Sequence, residues 1–202
     1  LDSRLQYAFD ERIGYLTQCP TNLGTAMRAS VMLHLPALTR VGQINRLASS
    51  VSKLGLTIRG AYGEGSSPKG DIYQLSNQIT LGITEKAALD NLHSISVQLV
   101  NQEREATKIM LKNPEENDKI WRALGILKTA RLLSGDEFME FISLVRLGAS
   151  TDIIKINLEK LNELIVNMQP ATINAHEGKS LSTIERDTIR AQAVREALKD
   201  IG

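Results

Sequence analysis

The chain has 202 residues, 42% of them hydrophobic and 23% charged, a balance typical of folded globular proteins and not of disordered ones. Its 24 basic and 23 acidic residues nearly cancel, which excludes the strong positive field that sequence-independent nucleic-acid binding requires. There is no apolar run of the roughly 20 residues needed to span a bilayer and no signal-peptide pattern, so we expect a cytoplasmic protein that binds no membrane.

The first part of the chain alternates predicted strands and helices. Short runs of β-branched, aromatic and aliphatic residues, bounded by Gly, Pro or Asn, predict strands over 14–17, 28–35, 56–61 and 71–76. Between the second and third strands, apolar residues spaced three and four apart predict an amphipathic helix over 39–53. Thr84 is the predicted N-cap of a long helix that ends near Asn113. The apolar stripe of that helix comprises Ala88, Leu92, Ile95, Leu99, Ala106 and Ile109.

After Pro114 the pattern becomes entirely helical. The predicted helices cover 118–133, a segment capped by Ser134, 152–168 and 183–200. Ser182 and Glu185 fit a capping box for the last helix, and residues 169–179 are predicted to form a loop. We therefore predict an α+β fold over residues 1–113, with an antiparallel sheet flanked by helices, and a small all-helical domain over residues 114–202.

Two loops place charged groups beside glycines, as phosphate-binding sites require. Residues 17–25 contain Cys19, the single cysteine of the chain, and residues 59–67 contain Arg59 and Glu64. Arginine and uncovered backbone amides are good phosphate donors. Taken alone, however, such loops are more simply ordinary turns, and a single cysteine is more simply an inert core thiol. A lone cysteine also excludes an internal disulfide and a four-thiolate zinc site.

The motifs give a more specific indication. The segment Cys-Pro-Thr-Asn-Leu-Gly-Thr over 19–25, followed by Met-Arg-Ala-Ser over 27–30, is similar to the active-site cysteine segment of creatine and arginine kinases. Residues 58–66 and 73–82 resemble the bacterial protein arginine kinase branch, of McsB type, more than the metabolite kinases. The similarity continues in the second half, through residues 125–127, 145–148 and 161–164.

This resemblance implies transfer of the ATP γ-phosphoryl group to arginine side chains of proteins. Arg28 and Arg59 would hold the phosphates, a task suited to guanidinium forks. Magnesium would accompany ATP with few protein ligands, and no metal-binding residue is assigned. The implied nucleotide contacts are Arg28, Ala29, Ser30, Val31, Met32, His34, Arg59, Gly60, Ala61, Tyr62, Gly63 and Glu64.

The resemblance also implies how the acceptor is recognised. Cys19 and Glu64 would face the acceptor guanidinium, which is a poor nucleophile until it is oriented and loses a proton. With Arg28 and Arg59 they make up the predicted catalytic set. Cys19 then requires a polar setting and a depressed pKa, unlike a buried structural thiol.

The last predicted helix carries Arg186-Asp187-Thr188-Ile189-Arg190-Ala191. On spacing alone, Arg186 and Arg190 share a helix face, and the simplest interpretation is a solvated, salt-bridged helix. The motif is similar to the phosphoarginine-binding motif of protein arginine kinases. There, arginines would take the phosphoryl oxygens and the acid the guanidinium nitrogens, so that the domain senses product allosterically.

The chain departs from a complete family member in several places. An N-terminal arginine-containing phosphate segment and an Asn-Glu-x-Asp-His segment do not occur, and Leu1 is not a methionine, so we expect an incomplete fragment that is inactive alone. Ala26 replaces a usual glycine, and residues 149–152 differ from the usual Gly-Ile-Asp-Leu pattern.

Partners and rival functions follow from the same resemblance. It implies protein substrates with exposed arginine, a Clp protease system, a stress-response repressor and a homodimer. The main alternative is an inactive phosphoarginine-binding regulatory module. A kinase of small guanidino metabolites is a third option, which leaves the helical domain without an obvious use.

Overall fold

The computed structural model describes residues 3–61 and 68–201, which form two compact units. The first unit contains the described residues up to Pro68 together with Ile72–Thr107, and the second contains Lys69–Asp71 and the described residues from Lys108 onward. The first combines antiparallel strands with helices, and the second contains the helices of the C-terminal half of the chain. The predicted α+β class is confirmed. No helix in the described ranges is both long and apolar enough to cross a bilayer.

Within the described residues, five strands build two small sheets in the first unit. Strands β1 (Phe9–Asp10) and β2 (Gly14–Tyr15) pair as an antiparallel hairpin. Strands β3 (Ser30–His34) and β4 (Leu56–Gly60) flank β5 (Ile72–Asn77), and both are antiparallel to it. The four predicted strands are therefore confirmed, the first three with shorter bounds and the fourth shifted by one residue. The two residues of β1 are too few to show the alternation from which a strand is predicted.

Helices cover one face of the three-stranded sheet. These are α1 (Pro36–Arg40), α2 (Ile44–Ser52) and the long α3 (Glu85–Met110). Alternate strand residues point toward them, because successive side chains of a strand face opposite sides. The buried core consists of Leu33, Leu35, Leu38, Val51, Leu56, Tyr73, Leu75, Leu92, Ile95 and Leu99.

The helices of the first unit differ from the prediction in two respects. The single helix expected over 39–53 is wrong, because the chain breaks between α1 and α2 at Gly42, whose φ is +69°. The Thr84 cap is confirmed, since its hydroxyl accepts a hydrogen bond from the Ala87 amide at 3.2 Å. Ile109, expected in the apolar stripe, is instead 68% exposed.

The second unit is built from five helices within the described residues. They are α4 (Pro114–Thr129), α5 (Gly135–Ser150), α6 (Leu158–Asn167), α7 (Pro170–Glu177) and α8 (Thr183–Leu198). The predicted Ser134 cap is confirmed as part of a capping box, and so is the box predicted at the start of α8.

Several predicted bounds in this unit are wrong, among them both ends of α4, which stops at Thr129 and not at residue 133. Helix α4 begins at Pro114 rather than residue 118, and the loop predicted over 169–179 contains α7, which begins at Pro170. Proline favours the first helical position, where its missing N–H group needs no partner, so these prolines start helices. Helix α6 begins after Asn157, whose side chain accepts from the Glu159 amide at 2.7 Å, and not at residue 152.

Candidate functional site

The face of the three-stranded sheet opposite the helices is polar. The register places Met32 of β3, Gln74 of β5 and Arg59 of β4 in one row. Paired residues of antiparallel strands point to the same side, and alternation adds Ser30 and His34 to that side. Met32 is 52% exposed and Ser30 is also exposed, so the described residues leave this face open along β3, whereas Ser76 of β5 on the same side is buried.

Two arginines flank the open face. Strand spacing separates Arg59 from Met32 by about 10 Å across the sheet, and Arg28 precedes Met32 by about 13 Å of extended chain. Arg28 is exposed and Arg59 is partly buried. The side chains of Ala29 and Val31 pack against the core instead. Of the predicted contacts over 28–32, the side chains of these two therefore do not face the exposed side of the sheet.

Asn77 holds the backbone on both sides of Arg28. Its side-chain oxygen accepts a hydrogen bond from the Ala29 amide at 2.7 Å, and its side-chain nitrogen donates to the Met27 carbonyl at 3.0 Å. Asn77 is only 3% exposed, so these bonds lie away from water. The position of Arg28 is thus fixed by the end of β5.

The Cys19 loop follows β2. Its base is closed by a two-way backbone pair in which the Tyr15 amide donates to the Gly24 carbonyl at 2.8 Å and the Gly24 amide donates to the Tyr15 carbonyl at 3.2 Å. Within the loop, Cys19 immediately precedes a short 3-10 helix over Pro20–Asn22. Cys19 is exposed, contrary to what an inert core thiol would show.

The thiol is electrostatically perturbed. The Thr21 hydroxyl lies 2.9 Å from the Cys19 sulfur and lowers the pKa of the thiol, and the Thr21 backbone adds to the effect. A larger thiolate fraction at neutral pH makes the sulfur a better nucleophile or a better partner for a cation. The flanks of the loop, with Tyr7 and Tyr15, line a cavity of about 390 Å³ beside it.

Three predicted site residues of the second loop lie outside the described residues, namely Tyr62, Gly63 and Glu64. Gly60 ends β4 and is buried, and the Ala61 amide donates to the Ile72 carbonyl at 3.2 Å.

In the second unit, Arg190 is a buried structural residue. It is 1% exposed, and its guanidinium donates to the Met168 carbonyl at 2.9 Å, the Leu133 carbonyl at 2.7 Å and the Asp187 carboxylate at 2.6 Å. The Asp187–Arg190 ion pair is mostly buried, with the Asp187 side chain 18% exposed, and so differs from the solvated salt bridge expected from spacing alone. These bonds join α8 to the α4–α5 connection and to the residue after α6.

The other residues of this motif differ in their exposure. Arg186 is partly exposed, and donates to the Leu181 carbonyl and, at 3.4 Å, to the Thr183 hydroxyl. Thr188 is exposed on the helix surface, Ile189 is partly buried and Ala191 is buried. Of the two arginines, Arg186 is therefore the one that a ligand can reach without displacing the packing.

Comparison with known proteins gives the family. The family model of the ATP:guanido phosphotransferase C-terminal catalytic domain matches residues 1–106, and that of the protein-arginine kinase McsB C-terminal domain matches residues 114–202. A protein-arginine kinase of Clostridium kluyveri is 51% identical over 98% of this chain, and one of Caldanaerobacter subterraneus subsp. tengcongensis is 46% identical over 96%. The chain belongs to the protein-arginine kinase family. It spans 58% of the length of each of these two relatives.

Among solved structures, the chain has a more distant likeness. A crystal structure of lombricine kinase is similar at 31% identity and a TM-score of 0.45, over 51% of this chain and 28% of that one.

Sequence reasoning missed two residues of the first unit, Asn77 and Thr80. Both lie in the motif over 73–82, but their polar side chains resemble ordinary turn residues. Their role follows only from contacts with residues about fifty positions earlier, which no local pattern reports.

Proposed function

We propose that the protein containing this chain transfers the γ-phosphoryl group of ATP to arginine side chains of proteins. The observation that carries the proposal is the exposed Cys19 thiol, hydrogen-bonded by Thr21 within the Cys-Pro-Thr-Asn-Leu-Gly-Thr segment. Membership of the protein-arginine kinase family supports it, as does the open face that bears Arg28 and Arg59.

The predicted site residues suggest which groups would balance the charges of the acceptor guanidinium and of the phosphoryl group. A Cys19 thiolate, with Glu64 as a second anion, would orient the acceptor guanidinium. An acceptor nitrogen then forms the N–P bond and releases its proton, while the bond from the γ-phosphorus to the bridging oxygen breaks and ADP leaves. Arg28 and Arg59 would stabilise the negative charge on the phosphoryl oxygens.

ATP and magnesium fit the donor chemistry of the open face. Guanidinium groups and backbone amides near Ser30 and Gly60 are donors for phosphate oxygens. Within residues 3–61 and 68–201, no three His, Cys, Asp or Glu side chains come together as a metal cage. Magnesium would accompany ATP, held largely by the phosphates and water, as is usual for this ion.

The test is phosphoarginine formation by the full product of the gene that encodes this chain. With ATP and magnesium, we expect acid-labile phosphoarginine on a basic protein, detected by mass spectrometry, and little phosphorylation of free arginine. Phosphorylation of free arginine alone would instead assign the protein to the metabolite kinases.

A second candidate function is phosphoarginine recognition by the second unit without turnover. The accessible Arg186 and the match of residues 114–202 to the McsB C-terminal domain favour this binding role. Calorimetry of phosphoarginine with the 202-residue chain tests it, and a gene product that binds phosphoarginine but never forms it would make this the main function. In a kinase, the same binding would make the second unit an allosteric sensor.

Family membership also suggests partners in the cytoplasm. We propose protein substrates with exposed arginine, a Clp protease system, a stress-response repressor and a second copy of the chain. Exposed apolar side chains of the second unit, among them Trp121, Leu132 and Ile184, support self-association. Sedimentation equilibrium at micromolar concentration measures it, and a monomer throughout would remove the dimer from the proposal.

A further inference from the structure

Thr80 contacts the Cys19 loop with both its side chain and its backbone. Its hydroxyl donates to the Thr21 carbonyl at 2.9 Å, and its carbonyl accepts from the Thr25 amide at 3.0 Å. Thr80 is 7% exposed and lies 59 residues along the chain from Thr21. A residue just after the sheet thus holds the loop at two points.

The contact between the Thr80 hydroxyl and the Thr21 carbonyl affects the Cys19 thiol through Thr21. Thr21 accepts the bond from Thr80 through its carbonyl, while its own hydroxyl lies against the Cys19 sulfur at 2.9 Å. The other hydrogen bonds of residues 19–23 in the described chain are local, such as the Asn22 amide to the Cys19 carbonyl at 3.0 Å. Thr80 is therefore the long-range restraint on the residue that perturbs the thiol.

The second point is a close backbone approach at Gly24. A Cβ atom on Gly24 would lie 2.3 Å from the Thr80 carbonyl oxygen, so the two backbones touch. Gly24 is also held by its pair with Tyr15. The far end of the loop therefore cannot shift without moving Thr80.

We propose that Thr80 is a positioning residue for the acceptor side of the reaction, holding Thr21 so that its hydroxyl stays on the Cys19 sulfur. The consequence for catalysis rests on the proposed function, whereas the contact itself does not. Asn77, three residues earlier, holds the backbone around Arg28. One short segment, from the last residue of β5 to Thr80, would thus position groups on both the phosphate side and the acceptor side of the reaction.

The test uses Cys19 as its own reporter, because it is the only cysteine in the chain. Thr80→Val removes the hydroxyl, keeps the side-chain shape and leaves the carbonyl bond to Thr25. Without this restraint the Thr21 hydroxyl spends less time on the sulfur, so the thiol pKa rises. We expect alkylation of the 202-residue chain by iodoacetamide at pH 7 to slow by about three- to ten-fold, the usual range for one lost hydrogen bond.

Three further variants distinguish positioning from damage. Thr80→Ser retains the hydroxyl and should restore the wild-type pH profile, while Thr80→Ala should repeat the Thr80→Val effect. Thr129→Val is the matched control, because it removes a hydroxyl that donates to a backbone carbonyl, that of Gly125, at 2.8 Å in the second unit. It should leave Cys19 alkylation unchanged.

A double-mutant cycle shows whether Thr80 acts through Thr21. In a Thr21→Val background, Thr80→Val should change the alkylation rate no further. The proposal is overturned if Thr80→Val and Thr80→Ala leave the pH profile unchanged in folded protein, or if their effect persists undiminished without the Thr21 hydroxyl.

The kinase assay separates this inference from the proposed function. In the full gene product, Thr80→Val should lower kcat and leave the KM for ATP unchanged. If wild type forms no phosphoarginine while the alkylation shift is present, the proposed function fails and the positioning role of Thr80 remains.

Discussion

Arg28 in the first unit and Arg190 in the second were both predicted to bind phosphoryl oxygens, and the structure places them in opposite settings. Arg28 is exposed, and the bonds around it are made by Asn77 to the neighbouring backbone, not to its guanidinium. Arg190 is buried, and its guanidinium bonds to two carbonyls and a carboxylate of its own unit.

The difference teaches how a motif residue can be assigned a role. A side chain that is to meet a ligand remains exposed while its backbone is held, as with Arg28 and Cys19. A side chain that is buried with its donors hydrogen-bonded inside the fold, as Arg190 is, contributes to stability first. On this criterion Arg186 is the better ligand-binding arginine of the second unit, and Arg190 supports the helix that carries it.

Replacing Arg190 tests the structural half of this contrast. Arg190→Ala leaves two buried carbonyls and the Asp187 carboxylate without their partner, and we expect the free energy of unfolding to fall by about 3–5 kcal/mol. Chemical denaturation of the 202-residue chain, followed by circular dichroism, measures this. Arg186→Ala is the control, and an equal loss for both variants would contradict the assignment.

Gly24 tests whether the Cys19 loop is held as firmly as the contacts suggest. Its φ is +98° and an added Cβ would meet the Thr80 carbonyl at 2.3 Å, so Gly24→Ala should cost about 2–3 kcal/mol in unfolding free energy. Gly42→Ala should cost only about 1 kcal/mol, because Gly42 also has a positive φ but open space around it. Equal costs would show that the loop yields to the new methyl group.

Arg186→Ala tests whether Arg186 binds a ligand, the other half of the contrast. If Arg186 supplies charge-assisted hydrogen bonds to a phosphoryl group, its loss should weaken phosphoarginine binding by about 10- to 100-fold. Titration calorimetry measures this at constant pH and salt. Arg122→Ala removes an exposed arginine paired with Asp118 in the same unit and should bind as wild type does. Unchanged affinity in Arg186→Ala would exclude Arg186 from the site.

The smallest expected effect is that of Ala26→Gly, which should raise the free energy of unfolding instead of lowering it. The residue occupies a position where the resemblance expects glycine, and its φ of +49° is left-handed. Relief of about 1–2 kcal/mol of strain outweighs the entropy of a glycine, so Ala26→Gly should raise the unfolding free energy by about 0.5 kcal/mol. Ala29 has no positive φ and packs against the core, so Ala29→Gly should lower the unfolding free energy in the same denaturation experiment.

Much of the fold could be predicted from local pattern. Alternation predicted the strands, and Ser134, Ser182 and Thr84 predicted helix starts, because caps and periodicity are properties of neighbouring residues. Pro170 led to the wrong prediction of a loop over 169–179, since proline both breaks helices and begins them. The exposure of Cys19 was expected from the family resemblance alone, and the burial of Arg190 could not be predicted because it depends on carbonyls in two other helix connections.

The most direct test of the account is phosphoarginine formation on a basic protein by the full gene product carrying either Cys19→Ser or Arg186→Ala. We expect Cys19→Ser to lose phosphorylation by about 100-fold or more, because it removes the thiolate that faces the acceptor. Arg186→Ala should retain the chemistry, with altered response to added phosphoarginine only. Full activity in Cys19→Ser would contradict the account, since the exposed, perturbed thiol would then have no part in the reaction.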